Sequence, residues 1–160
     1  MFHVSRPVRV AVVLSLVLSL AGVAVVQADA GGVKVLDATM AGLPQAQVGT
    51  TLDGVPAGGL PWTIAHGSAQ LFSNGRLHLL VQGLVLASGA NAGKNPFPTG
   101  EAIVTCGGTV AATSSPVPYS AAGNAMVDQT VQLPSTCLAP AVFFAGRTAA
   151  GARWFAATGW

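Results

Sequence analysis

Charge is what this chain has least of. Only 7 Lys or Arg and 5 Asp or Glu stand among 160 residues, 8% in all. Two of the cations, Arg6 and Arg9, fall near the N-terminus, and the others, Lys34, Arg76, Lys94, Arg147 and Arg153, are scattered singly. Binding a phosphate backbone needs cations clustered on one face, so nucleic acid is not expected as a partner. The acids are equally isolated, which removes the paired carboxylates of glycoside hydrolysis. Cysteine occurs only at Cys106 and Cys137, and neither has a second Cys or a His at zinc-like spacing. No G-x-G-x-x-G, P-loop, H-E-x-x-H, calcium-loop or G-x-S-x-G pattern is present. No catalytic residue, cofactor or metal is therefore expected.

What is present begins with a leader. Arg6 and Arg9 precede an unbroken apolar or small run from Val10 to Val26, and Val26-Gln27-Ala28 and Ala28-Asp29-Ala30 offer small residues where a signal peptidase reads. Residues 1–30 are expected to be a signal peptide cleaved after Ala28 or Ala30. The alternative is an uncleaved N-terminal membrane anchor, because the run is only slightly shorter than the roughly 20 residues that span a bilayer. Residues 31–160 then form a single domain, secreted and without stable membrane insertion once the leader is removed. In an oxidising compartment Cys106 and Cys137 are expected to form a disulfide. Closing that loop would contribute roughly 3 to 4 kcal/mol by restricting the unfolded chain.

Helical periodicity is missing beyond the leader, while 20 glycines and 10 prolines punctuate short β-like runs. These runs cover 33–40, 48–55, 62–72, 76–87, 101–107, 109–114, 125–133, 139–146 and 153–159. Eight or nine strands are too many for one sheet of this size. The expected fold is all-β, an antiparallel β-sandwich of Ig-like or Greek-key type, with a small β-barrel as the alternative. The run at 139–146 is apolar on both faces, as in a central strand or a partner interface. The final "RWFAATGW" reads as a strand docked by its aromatic rings.

The stretch IAHGSAQLFSNGRLHLL, Ile64 to Leu80, holds the two histidines outside the leader, His66 and His78. A two-residue Asn74-Gly75 turn would place His66, Ser68 and Gln70 among Leu77, Leu79 and Val81. A three-residue Ser73-Asn74-Gly75 loop instead pairs Leu71 with Leu77 and Ala69 with Leu79, with Gly75 as the left-handed bulge residue. That register turns Ala69, Leu71, Leu77, Leu79 and Val81 inward and His66, Ser68, Gln70, Arg76, His78 and Gln82 outward. His78 then stands opposite Gln70, four residues from His66, or roughly 13 Å along the strand. The histidines cannot share one zinc ion, whose ligands each lie about 2 Å from it.

The loop SGANAGKNPFPTG, residues 88–100, carries Lys94 and sets Phe97 between two prolines. It either presents a binding aromatic or folds back as a lid over the end of the domain. Phe97, Lys94, His66, His78 and Trp160 make up the candidate binding surface. The runs "GVPAGGLPWTI", "NGRLHLLVQGLVLA", "NAGKNPFPT" and "LPSTCLAPAVFF…WFAATG" together resemble a group of small secreted bacterial proteins of unknown function. That resemblance implies an extracellular β-rich domain and supplies no activity. The segments Ala38 to Leu43 and Gly67 to Leu86 are more loosely similar to the CHRD domain, whose histidine-rich segment is absent here. The expected function is a secreted, non-catalytic binding or structural module, with an unknown protein, glycan or small molecule at the cell surface as partner. The alternatives are an extracellular small-ligand carrier with a pocket near the 88–100 loop and, third, a secreted hydrolase.

Overall fold

The computed structural model describes residues 31–159; the expected leader and Trp160 lie outside the described residues. Thirteen strands and one 3-10 turn at Gln45–Gln47 make up the regular structure of the described residues. The strands are β1 (Lys34–Gly42), β2 (Thr51–Leu52), β3 (Val55–Pro56), β4 (Trp62–Thr63), β5 (His66–Phe72), β6 (Arg76–Gln82) and β7 (Val85–Leu86). They continue as β8 (Thr99–Cys106), β9 (Thr109–Thr113), β10 (Val117–Pro118), β11 (Ala125–Thr130), β12 (Ala141–Thr148) and β13 (Gly151–Thr158). The class is all-β and antiparallel, as expected from the sequence.

Strand number does not force two separate sheets, which corrects one step of the sequence reading. Nine strands share one sheet in the order β10-β8-β12-β13-β1-β5-β6-β11, with β9 also on β8. The right-handed twist accumulated over so many strands curls the sheet into a half-barrel, so its own two walls face each other across the core. Met40, Leu71, Leu77, Leu79, Val81, Val127 and Phe143 meet in that core, each at most 5% exposed. Where the curl brings β11 towards the far edge, the Gln129 side chain completes the seam. Its Oε1 accepts from Ser115 N at 2.9 Å and its Nε2 donates to Ser115 O at 3.2 Å. A side-chain amide thus stands in for a peptide group of a closing strand.

The two walls differ on their outer sides. In β5, β6 and β11 burial alternates residue by residue, so one face is wet. In β8, β12 and β13 consecutive residues are buried, which requires cover on both faces. The covering layer is the 43–63 stretch. Leu43 N donates to Phe155 O, Gly58 N donates to Trp154 O, and Ala57 bridges to Trp154. The expected single strand at 48–55 is instead a small hairpin of β2 and β3, in which Leu52 pairs with Val55. Asp53 and Gly54 both have positive φ, the demand of a two-residue hairpin turn that Asp-Gly meets.

The register predicted for β5 and β6 is the one observed. Gly67 pairs with Val81, Ala69 with Leu79, Gln70 with His78 and Leu71 with Leu77. Gly75 has φ +84, and a Cβ built there would meet Val131 O at 2.0 Å. Val131 N also donates to Gly75 O, so this backbone contact ties β11 to the hairpin tip. Gly75→Ala is expected to cost about 2 kcal/mol or more, combining a left-handed alanine with a backbone collision. A urea unfolding midpoint unchanged from the parent would contradict this account.

Candidate functional site

The 88–100 loop is organised by one buried amide. Asn95 is 6% exposed, and its Nδ2 donates to Phe97 O at 2.6 Å, Ser120 O at 3.0 Å and Tyr119 O at 3.3 Å. Its Oδ1 accepts from Phe97 N at 2.9 Å, an Asx turn that reverses the chain between the two prolines. The loop is thereby pinned to the 119–121 turn, and the Phe97 ring is directed back onto the domain. Lys94 remains exposed, with its backbone fixed by bonds to Leu86 and Asn91.

Tyr119, beneath this anchor, is buried and donates its hydroxyl to Leu84 O. Burial pushes the phenol well above its ordinary value, because the phenolate would be desolvated. Its raised folded pKa gives stability that is complete below the unfolded value of about 10 and is lost as pH rises beyond it, at about 1.4 kcal/mol per pH unit. The chain has one tyrosine, so tyrosinate absorbance reports on it alone. The native protein is expected to show no tyrosinate at a pH where the urea-unfolded chain is half ionised. Coincident titration of the two states would refute the burial argument.

Phe97 lands on two aromatic rings that the sequence reading did not join to it. Its centroid lies 4.9 Å from Phe155 and 6.1 Å from Trp62, and Trp62 and Phe155 stack at 4.0 Å. Phe155 is the extra residue of a β-bulge, since Phe144 pairs with Ala156 and the next residue, Ala145, pairs with Trp154. A bulge re-aims the side chain it carries, and here it turns a ring of a central strand towards the covering layer. The three rings form the floor of a cleft of about 360 Å³. Leu60, Leu86 and Pro96 make its walls, and Asn91, Thr148 and Arg153 its polar rim. Leu60 is 42% exposed, so a large apolar side chain stands at the mouth.

The other candidate residues stand elsewhere. His66 and His78 occupy the outer face of β5 and β6, away from this cleft, and Trp160 lies outside the described residues. On that face Asp37, Gln70, His78 and Asp128 form one cross-strand row over β1, β5, β6 and β11. His78 Nδ1 is 3.9 Å from Asp128 Oδ2, and Gln70 Nε2 donates to Asp37 Oδ1 at 3.3 Å. The Lys34 ammonium, 2.7 Å from Asp37 Oδ2, holds that carboxyl below its usual range by hydrogen bonding. Ser68 sits diagonally from His78, and among the described residues no hydrogen bond joins them. Exposed pairs on a flat sheet face are screened by solvent and bind little by themselves. Among the described residues no group of three or more His, Cys, Asp or Glu is placed to hold a metal.

Two further features are structural. Cys106 and Cys137 form a disulfide with Cα atoms 4.9 Å apart, tying the end of β8 to the segment before β12. Glu101, 2% exposed, receives Arg147 Nη2 at 2.8 Å on both carboxylate oxygens, so its charge is paired in place. No protein-family model, curated protein or solved structure matches the chain.

Proposed function

We propose that this chain is a secreted, non-catalytic binding module whose ligand site is the cleft over Trp62, Phe97 and Phe155. The observation that carries this reading is the aromatic floor itself. Strand β4, a bulge in β13 and a loop held by Asn95 bring the three rings together. Trp62 and Phe155 stack as a buried base, and the half-buried Phe97 with the exposed Leu60 and Pro96 present an apolar cleft to solvent above them. Concave, mostly apolar sites with a few polar groups at the rim are the usual form of small-molecule pockets. The volume of about 360 Å³ suits a ligand of two or three rings or a short alkyl chain. The lining holds no acid, histidine or cysteine, and the Thr148 hydroxyl is committed to Gly151 O at 2.9 Å, which supports retention over turnover. The leader-like N-terminus and the disulfide support export.

The test is saturable binding of a neutral apolar probe, phenylnaphthylamine, followed by its fluorescence and by quenching of tryptophan. Leu60→Trp alters an exposed wall residue and fills the cleft without disturbing the core. Binding to the parent that is lost in this variant is the expected result. Failure to bind, or equal binding to both proteins, would overturn the assignment.

A further inference from the structure

We infer that the cleft takes an anionic amphiphile, a ligand with an apolar ring or alkyl body and a single carboxylate or sulfonate head, and that Arg153 receives the head. This rests on the reading of the cleft as a ligand site and adds the chemistry of what it selects. Arg153 lies on β13 two residues before the bulged Phe155 and lines the same cleft. Arg153 is a half-buried residue that lines the cleft together with the three rings, and among the described residues its side chain makes no ion pair and no hydrogen bond.

Among the described cations Arg153 shares the lack of a partner only with Lys94, which is exposed on its loop, while the other three have partners. Lys34 is paired with Asp37, Arg147 with Glu101, and Arg76 lies over the Phe72 ring at 4.2 Å. The four described acids are all placed elsewhere. Asp37 and Asp128 stand on the outer sheet face, Glu101 is held by Arg147, and Asp53 accepts from the Thr105 hydroxyl at 3.2 Å. None lines the cleft, and Lys94 adds a second positive charge on the loop that walls it. The local field is therefore positive over an apolar floor. A guanidinium offers a planar fork that matches a carboxylate or sulfonate, and it does so more strongly where the rings exclude water. Asn91 at the rim offers a further amide donor.

The experiment compares two probes with the same rings, anilinonaphthalene sulfonate and the uncharged phenylnaphthylamine, on the full exported protein and on Arg153→Gln. The sulfonate is expected to bind the parent at least ten-fold more tightly than the neutral probe and to weaken as salt is raised. Arg153→Gln is expected to remove that ten-fold advantage and leave the neutral probe unchanged. Arg153→Lys should restore part of it. The thermal midpoint of each variant guards against a folding defect, because a half-exposed side chain without a partner contributes little to stability. Equal affinity for the two probes, or a sulfonate affinity indifferent to Arg153→Gln, overturns the inference while the cleft assignment stands. Binding of neither probe removes the cleft assignment and this inference with it.

Discussion

Phe155→Ala is expected to lower the free energy of unfolding by about 3–5 kcal/mol, the range for deleting a fully buried phenylalanine. The ring is 2% exposed and stacks on Trp62 at 4.0 Å, and Phe97 leans on it at 4.9 Å. Its loss leaves a void at the junction between sheet, covering stretch and loop, where collapse is resisted by the backbone bonds of Leu43 and Gly58 to β13. The half-buried Phe97 is a useful comparison. Phe97→Ala should cost distinctly less, because that ring is only partly buried and the loop stays anchored through Asn95. Urea unfolding monitored by far-ultraviolet circular dichroism gives both values. If the two substitutions cost the same, or if Phe155→Ala costs under about 1 kcal/mol, the rings are not the keystone described here.

Breaking the Cys106–Cys137 bridge is the second large effect. The bond spans 31 residues of sequence and closes a loop containing β9, β10 and β11. Restricting a loop of that length in the unfolded chain contributes roughly 3–4 kcal/mol, a large part of the 5–15 kcal/mol typical of a domain. The effect is concentrated in the unfolded state, since the folded chain has a second tie at the same place, Gly107 N to Leu138 O at 2.7 Å. Reduction, or paired Cys106→Ser and Cys137→Ser replacement, should therefore preserve the native circular dichroism spectrum while moving the urea midpoint down by most of that amount. An unchanged midpoint in the reduced protein would show that the bridge is incidental to the fold.

The β5–β6 hairpin was legible in full because three local signals agree. Alternation assigns the faces, Ser73-Asn74-Gly75 sets the loop length, and only the three-residue register keeps both faces consistent. Val127 and Val131 alternate with Met126, Asp128 and Thr130 as their sequence implies, and the doubly apolar 139–146 run lies largely in the central strand β12. The 48–55 segment failed for an equally local reason. Asp53-Gly54 is a turn signal, and it was read as the interior of a strand. Val117–Pro118 escaped notice because a two-residue strand that follows one proline and ends on another carries no periodicity at all.

The cleft illustrates a different limit. Phe97 could be singled out by its flanking prolines, but its partners, Trp62 and Phe155, are 35 and 58 residues away in the sequence. Their convergence depends on a bulge whose extra residue has no sequence mark of its own, because either Trp154 or Phe155 could have been the ring turned outward. Arg153 was visible only as one of several isolated cations. Whether such a residue is paired depends on which acids the fold brings near it, and local composition carries no such information.

By itself, then, the sequence determined the all-β class, the cysteine pair, the hairpin register and its wet histidine face, since each follows from contacts a few residues apart or from the short list of available partners. Tertiary structure alone decided that nine strands curl into one sheet, that a bulge joins Phe155 to Trp62 and Phe97, and that Arg153 is left beside them without a counter-charge among the described residues. These are products of long-range pairing and accumulated twist, which arise from the sum of many strands and are written in no single one of them.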